Sequence, residues 1–192
     1  DAQVALKEAK LRQRGEALYF CESMGHDARE RMRLVSGLRE AFETQHFFLM
    51  YQPKVEMHTC RATGVEALLR WRRPDGELVP PDRFIPLAEQ SGMMVALGTF
   101  VMRSACQQLG RLRTAGHTHL VMAINVSQTQ LRDPHFVSTL RRALTDAAVP
   151  PEQVELEITE SMASENLERM RVLLAEIRTL GVGIAIDDFG TG

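Results

Sequence analysis

The stretch Gly64-Val65-Glu66-Ala67-Leu68-Leu69-Arg70-Trp71 has the composition of a buried β-strand with two charges set on one side. Alternate side chains of a strand share a face, so Val65, Ala67, Leu69 and Trp71 point one way while Glu66, Leu68 and Arg70 point the other. A carboxylate and a guanidinium therefore project from one wall. Burying a charge without a partner is costly, so this glutamate needs a cation, a metal or hydrogen-bond donors facing it. Taken singly, the strand also fits an ion pair on an exposed sheet surface. The neighbouring strands decide between the two.

Upstream, residues 47–52 form another strand running into Pro53, with a turn around residues 56–61 between the two. Downstream, residues 72–92 carry Pro74, Pro80, Pro81 and Pro86, which predicts mainly loop, with a short helix started at Pro86. Met94, Leu97, Val101, Ala105, Leu109 and Leu112 recur at helical spacing up to Gly116, and the methionines are core material. A strand at 120–126 follows, then a helix with Asp133 as N-cap, Pro134 at its first position and Phe136, Val137, Leu140 and Leu144 on its stripe. Next come a strand at 154–159 and a helix capped near Ser164, buried through Leu167, Met170, Leu173, Leu174, Ile177 and Leu180 and closed by Gly181. A last strand covers 182–188.

Toward the N-terminus, residues 27–43 read as a helix with Asp27 as N-cap and Met32, Val35, Leu38, Ala41 and Phe42 on one stripe. It suits a connecting helix, and equally the first helix of the domain that follows. Residues 2–14 suit a helix and 17–21 a short strand, which together cannot make a core and look like the tail of an upstream domain.

Strands alternating with covering helices imply parallel βαβ units, in an open doubly wound sheet or a closed (β/α)8 barrel. Side-chain parity favours the barrel. Leu120, Met122, Ile124 and Val126 oppose Val121, Ala123 and Asn125; Val154, Leu156 and Ile158 oppose Glu155, Glu157 and Thr159; Val182, Ile184 and Ile186 oppose Gly183, Ala185 and Asp187. Each bulky face suits a helix layer, and each opposite face ends in an oxygen-bearing group. In a barrel those second faces point inward and active sites lie at the C-terminal strand ends. Glu66, Asn125, Glu157 and Asp187 would then converge, with Glu160 and Asp188 just beyond their strands. Several carboxylates crowd together only around a cation. Oxygen ligands without histidine or cysteine favour Mg2+ or Mn2+ over Zn2+, and the adjacent Asp187 and Asp188 could serve two ions that polarise a phosphodiester and activate water. Arg70 is placed to hold a phosphate oxygen.

Composition narrows the function classes. The 192 residues are 44% hydrophobic and 25% charged, ordinary globular material with enough chain for a sizeable core. A net charge of -2 without a basic block gives no electrostatic case for a nucleic acid polymer as partner. Cys21, Cys60 and Cys106 have no paired-ligand spacing and suit reduced thiols in a cytoplasmic protein, although a parent could be membrane-anchored through an upstream region. His117 and His119 precede a strand at its N-terminal end and read as surface residues; Trp71 reads as core.

The chain resembles the EAL domain, the cyclic di-GMP phosphodiesterase. The resemblance rests on Glu66-Ala67-Leu68, Tyr51-Gln52-Pro53, Phe84-Ile85-Pro86-Leu87-Ala88-Glu89, Asn125-Val126-Ser127, Glu157-Ile158-Thr159-Glu160 and Asp187-Asp188-Phe189-Gly190-Thr191-Gly192, in order from residue 47 to 192. It implies a modified TIM barrel whose first strand runs antiparallel, and Mg2+- or Mn2+-dependent hydrolysis of cyclic di-GMP to linear pGpG. Transferred by motif, Glu66, Asn125, Glu157 and Asp187 bind one metal and Asp188 the second. Glu160 joins Glu66, Asp187 and Asp188 in the catalytic set by stabilising the loop beside the site, while Gln52 and Arg70 contact the nucleotide. The implied partners are cyclic di-GMP, a second copy through the EAL domain, and an upstream GGDEF or sensory domain.

Residues 1–24 are similar to the closing helix and strand of a GGDEF domain, through Ala5-Leu6-Lys7-Glu8-Ala9-Lys10, with Lys7 where that family has an aromatic residue and Gln3 where it has an acid. The expected organisation is an α/β chain: a GGDEF remnant at 1–24, a linker helix at 25–45, and an incomplete (β/α)8 TIM-type barrel of the EAL fold at 46–192, truncated after its fifth strand. The family's catalytic lysine and general base lie beyond that point, so the excerpt by itself is expected to be inactive. The alternatives are a non-catalytic EAL module acting as a cyclic di-GMP receptor or interaction domain, and an unrelated metal-dependent barrel enzyme.

Overall fold

The computed structural model describes residues 22–159 and 167–187, with side chains from residue 32 onward apart from Leu167. The expected helix at 2–14, the strand at 17–21, the Ser164 cap, Glu160 and Asp188 lie outside the described residues. Helix α1 (Glu22–Glu43) leads into strands β1 (Phe47–Val55), β2 (Ala62–Arg72) and β3 (Leu78–Val79), then helices α2 (Pro81–Gln90) and α3 (Met94–Thr114). Strand β4 (Val121–Asn125), helices α4 (Gln128–Leu131) and α5 (Phe136–Asp146), strand β5 (Val154–Thr159), helix α6 (Leu167–Thr179) and strand β6 (Gly183–Asp187) complete the described chain.

The sheet order is β1-β2-β4-β5-β6, with β3 paired to β2. Strand β1 runs antiparallel to β2, whereas β2, β4, β5 and β6 are parallel. The parallel part of this incomplete barrel wall is the one expected from the alternation of strands and helices, and its antiparallel first strand is the one the family resemblance implies. Strand β1 does not stop at Pro53 but continues to Val55. It lies at the sheet edge, where a residue without an N–H removes no ladder bond, and the extension adds Lys54 to the polar face.

Proline and capping chemistry account for the other corrections. The helix expected to start at Pro86 starts at Pro81, whose missing N–H costs nothing in a first turn, and Pro86 lies inside it. Asp133 does not cap α5 directly. Its Oδ1 accepts from the His135 N–H at 3.0 Å, and the helix begins at Phe136 with His135 as its N-cap. Asp27 is not an N-cap either, because α1 already begins at Glu22. The short helix α4 was not foreseen, yet Ser127-Gln128-Thr129-Gln130 is a capping-box sequence, and the reciprocal Ser127 and Gln130 bonds form it.

Two apolar clusters hold the layers. The larger packs Met122, Ile124, Leu156 and Ile158 of the sheet against Leu109, Leu140 and Ile177 of the helices, so the bulky faces of β4 and β5 meet the helix layer, whereas Ile186 at the end of β6 is exposed. The smaller gathers Leu34, Leu38, Phe47, Trp71, Phe84 and Leu97 at the start of the wall, and Trp71 is core as expected. Gly64 pairs with Val121 across β2 and β4, and a Cβ there would lie 2.6 Å from the backbone oxygen of Val121. Gly64→Ala must therefore push two backbones apart. It is expected to lower unfolding free energy by about 1–3 kcal/mol, read as a lower denaturant midpoint at unchanged slope, and an unaltered midpoint would refute the contact.

Candidate functional site

Strand pairing fixes which side chains share the polar face. Gln52 lies opposite Glu66 and Lys54 opposite Gly64 across β1 and β2. Glu66 pairs with Ala123, Asn125 with Glu157, and Thr159 with Asp187 across the parallel ladder. Gln52, Lys54, Glu66, Asn125, Glu155, Glu157 and Asp187 consequently stand on one side of the sheet. The acids advance along their strands from β2 to β6, in the same sense as the diagonal contacts described next. A tilted barrel wall, staggered by about one residue per strand, holds such a diagonal near one level.

Two contacts follow that diagonal. The Asn125 Nδ2 donates to Glu66 Oε1 at 2.7 Å, a bond that uses neither the Asn125 Oδ1 nor the Glu66 Oε2. The Lys54 ammonium crosses the face to donate to Glu157 Oε1 and also lies 3.6 Å from Glu155 Oε1. Burial pulls the Lys54 ammonium down, but the hydrogen bond and charge of Glu157, together with Glu155, outweigh it and leave Lys54 above its ordinary value. It is charged at neutral pH.

Glu157 is the most telling residue. It is 8% exposed, and its Oε2 is buried with no hydrogen-bond partner among the described residues. An orphaned carboxylate oxygen beside an asparagine and a second glutamate is a donor set that suits a hard cation. Among the described residues, no three histidine, cysteine or carboxylate side chains gather closely enough to hold an ion by themselves.

Gln52 is exposed opposite Glu66. Arg70 is partly buried and donates through Nη1 to the Leu69 carbonyl at 2.9 Å. Asp187 is exposed at the end of β6, two residues beyond the Ala185 that pairs with Glu157. His117 and His119 are exposed ahead of β4, at the end of that strand remote from Asn125.

The EAL domain family matches residues 36–192. The chain belongs to the EAL-domain family. This EAL chain is 38% identical over 192 residues to the bifunctional diguanylate cyclase/cyclic di-GMP phosphodiesterase MucR of Pseudomonas aeruginosa, covering 100% of the chain and 28% of that relative. It is 37% identical over 192 residues to the cyclic di-GMP phosphodiesterase NbdA of the same organism, covering 100% of the chain and 24% of the relative. The EAL chain spans about a quarter of the length of these curated relatives. Among solved structures, the PaMucR phosphodiesterase in its c-di-GMP complex superposes with a TM-score of 0.81 at 40% identity, over 83% of this chain and 65% of that one. The Xanthomonas citri FimX EAL domain in complex with c-diGMP gives 0.76 at 28% identity, over 87% and 64%.

Within this EAL fold, sequence reasoning missed Lys54. Ending the first strand at Pro53 hid it, although it lies two residues beyond Gln52 and so shares that residue's face. The Ser127–Gln130 capping box begins two residues after Asn125.

Proposed function

We propose that the protein to which this chain belongs hydrolyses cyclic di-GMP to the linear dinucleotide pGpG in bacterial second-messenger signalling. The observation that carries this reading is the buried, half-partnered carboxylate of Glu157 on a face shared with Glu66 and Asn125. Family membership and similarity to relatives named as cyclic di-GMP phosphodiesterases support the substrate. Because the chain spans about a quarter of those relatives, turnover is assigned to the intact protein, which would also carry the family's catalytic lysine and general base.

In this reading Glu66, Asn125, Glu157 and Asp187 hold one Mg2+ or Mn2+, and Asp188 the second, with Glu160 supporting the loop alongside. When bound, the ions polarise the phosphodiester and lower the pKa of a water. Gln52, opposite Glu66 at the sheet edge, and Arg70, further along β2, lie on the same face and are assigned to the nucleotide. Arg70 reaches it by leaving the Leu69 carbonyl, which costs a single part-buried hydrogen bond. Residues 1–24 are assigned to the end of a GGDEF domain, 25–45 to a linker helix and 46–192 to the EAL domain. We assign the protein to the cytoplasmic compartment, with a second copy as EAL partner. No helix among the described residues is long and apolar enough to cross a membrane.

The test is product analysis of the intact protein with cyclic di-GMP and Mn2+. Linear dinucleotide that disappears on chelation is the expected result. Binding without turnover would assign a receptor instead, and neither binding nor turnover would remove the nucleotide from the reading.

A further inference from the structure

We propose that Lys54 is a tethered counter-ion of the metal site: its ammonium and a divalent cation are alternative partners of the Glu157 carboxylate, so Lys54 sets how tightly the site takes up metal. This rests on the metal-site reading of Glu66, Asn125 and Glu157 given above.

The geometry is unusual for an ordinary surface pair. Lys54 belongs to the edge strand β1, and its partner stands on β5, with β2 and β4 between them. The side chain can cross because Gly64 and Ala123 put little bulk on this face. It ends on the most buried carboxylate of the wall, the one paired in register with Asn125, which in turn binds Glu66. Lys54 thus neutralises the centre of the proposed ligand set. One ammonium satisfies only Oε1, and Oε2 keeps its unmet demand for a partner.

A second seat is already present. Glu155 lies 3.6 Å from the ammonium and is more open, with 35% of its side chain exposed against 9% for Glu157. An ion on Glu157 repels the ammonium, and the lysine, itself 39% exposed, can withdraw to Glu155 and solvent without losing its charge or its hydration. Two arrangements follow from the same atoms: Lys54 on Glu157, or Lys54 on Glu155 with Glu157 on metal. Metal affinity is then reduced by the share of molecules in the first arrangement.

The experiment is Mn2+ titration calorimetry on the intact protein, comparing wild type with Lys54→Met, Lys54→Gln and Glu157→Gln, alongside melting in chelator and in saturating Mn2+. The lysine variants are expected to bind Mn2+ about 10- to 100-fold more tightly, the equivalent of releasing one charge-assisted hydrogen bond. They should also melt below wild type in chelator, where Glu157 is left unpaired, and lose that deficit in Mn2+. Two lysine variants are included so that failure of one to fold leaves the other to decide. Equal or weaker Mn2+ affinity in the lysine variants, with Glu157→Gln still impairing binding, would overturn the counter-ion role while leaving the metal site standing. Absence of Mn2+ binding in wild type, or indifference to Glu157→Gln, would remove the metal-site reading and this inference with it.

Discussion

Glu157→Gln in the intact protein is expected to reduce formation of the linear dinucleotide by about three orders of magnitude while leaving the fold unchanged. The substitution keeps the shape of the side chain and removes its anionic charge. The backbone pairing of β5 with β4 and β6 does not involve that charge, so the sheet has no reason to rearrange. Bound metal supplies several kcal/mol of charge stabilisation to a reacting phosphodiester, and each ~1.4 kcal/mol is about tenfold in rate. Product formation measured over a range of Mn2+ concentrations, with circular dichroism as a check on folding, decides the matter. Turnover within about tenfold of wild type would show that Glu157 holds no essential ion.

Trp71→Ala is expected to cost about 3–5 kcal/mol of stability, the usual range for emptying a buried aromatic site. The indole is 2% exposed and meets the Phe47 ring at 5.7 Å and the Phe84 ring, edge-on, at 5.8 Å. Helix α1 rests on the same ring through Gly37, where a Cβ would stand 3.3 Å from the Trp71 Cζ2. Losing the indole therefore removes the seat of α1 as well as the join between β2 and α2. Against a typical total of about 5–15 kcal/mol, the variant would be marginal. Denaturant unfolding measures the loss, and amide exchange along Leu34, Leu38 and Ala41 should quicken before that of β4 and β5. A loss below about 1 kcal/mol would mean that α1 and α2 are held elsewhere.

What was legible in the chain follows from period. Alternation of bulky and oxygen-bearing residues in residues 62–72, 121–125, 154–159 and 183–187 fixes which side meets the helices, because a strand has only two faces. The long helix α3 was equally plain from its apolar spacing. The effect of a proline depends on its place: Pro53 is harmless on an edge strand, which only the sheet order reveals, and Pro81 is harmless in a first turn, whereas Pro86 is tolerated inside the same helix. Capping was misread at Asp133 because its carboxylate bonds the His135 N–H ahead of the helix instead of lying at its first turn.

The sequence by itself determined that Glu66, Asn125, Glu157 and Asp187 belong to one face, since parity along each strand is a local property. Only the tertiary structure decided how they are offset from strand to strand, that Asn125 clasps Glu66, and that a lysine three strands away seats itself on Glu157. Register and sheet order are long-range choices, made by packing the whole wall against its helices, and no single segment contains them.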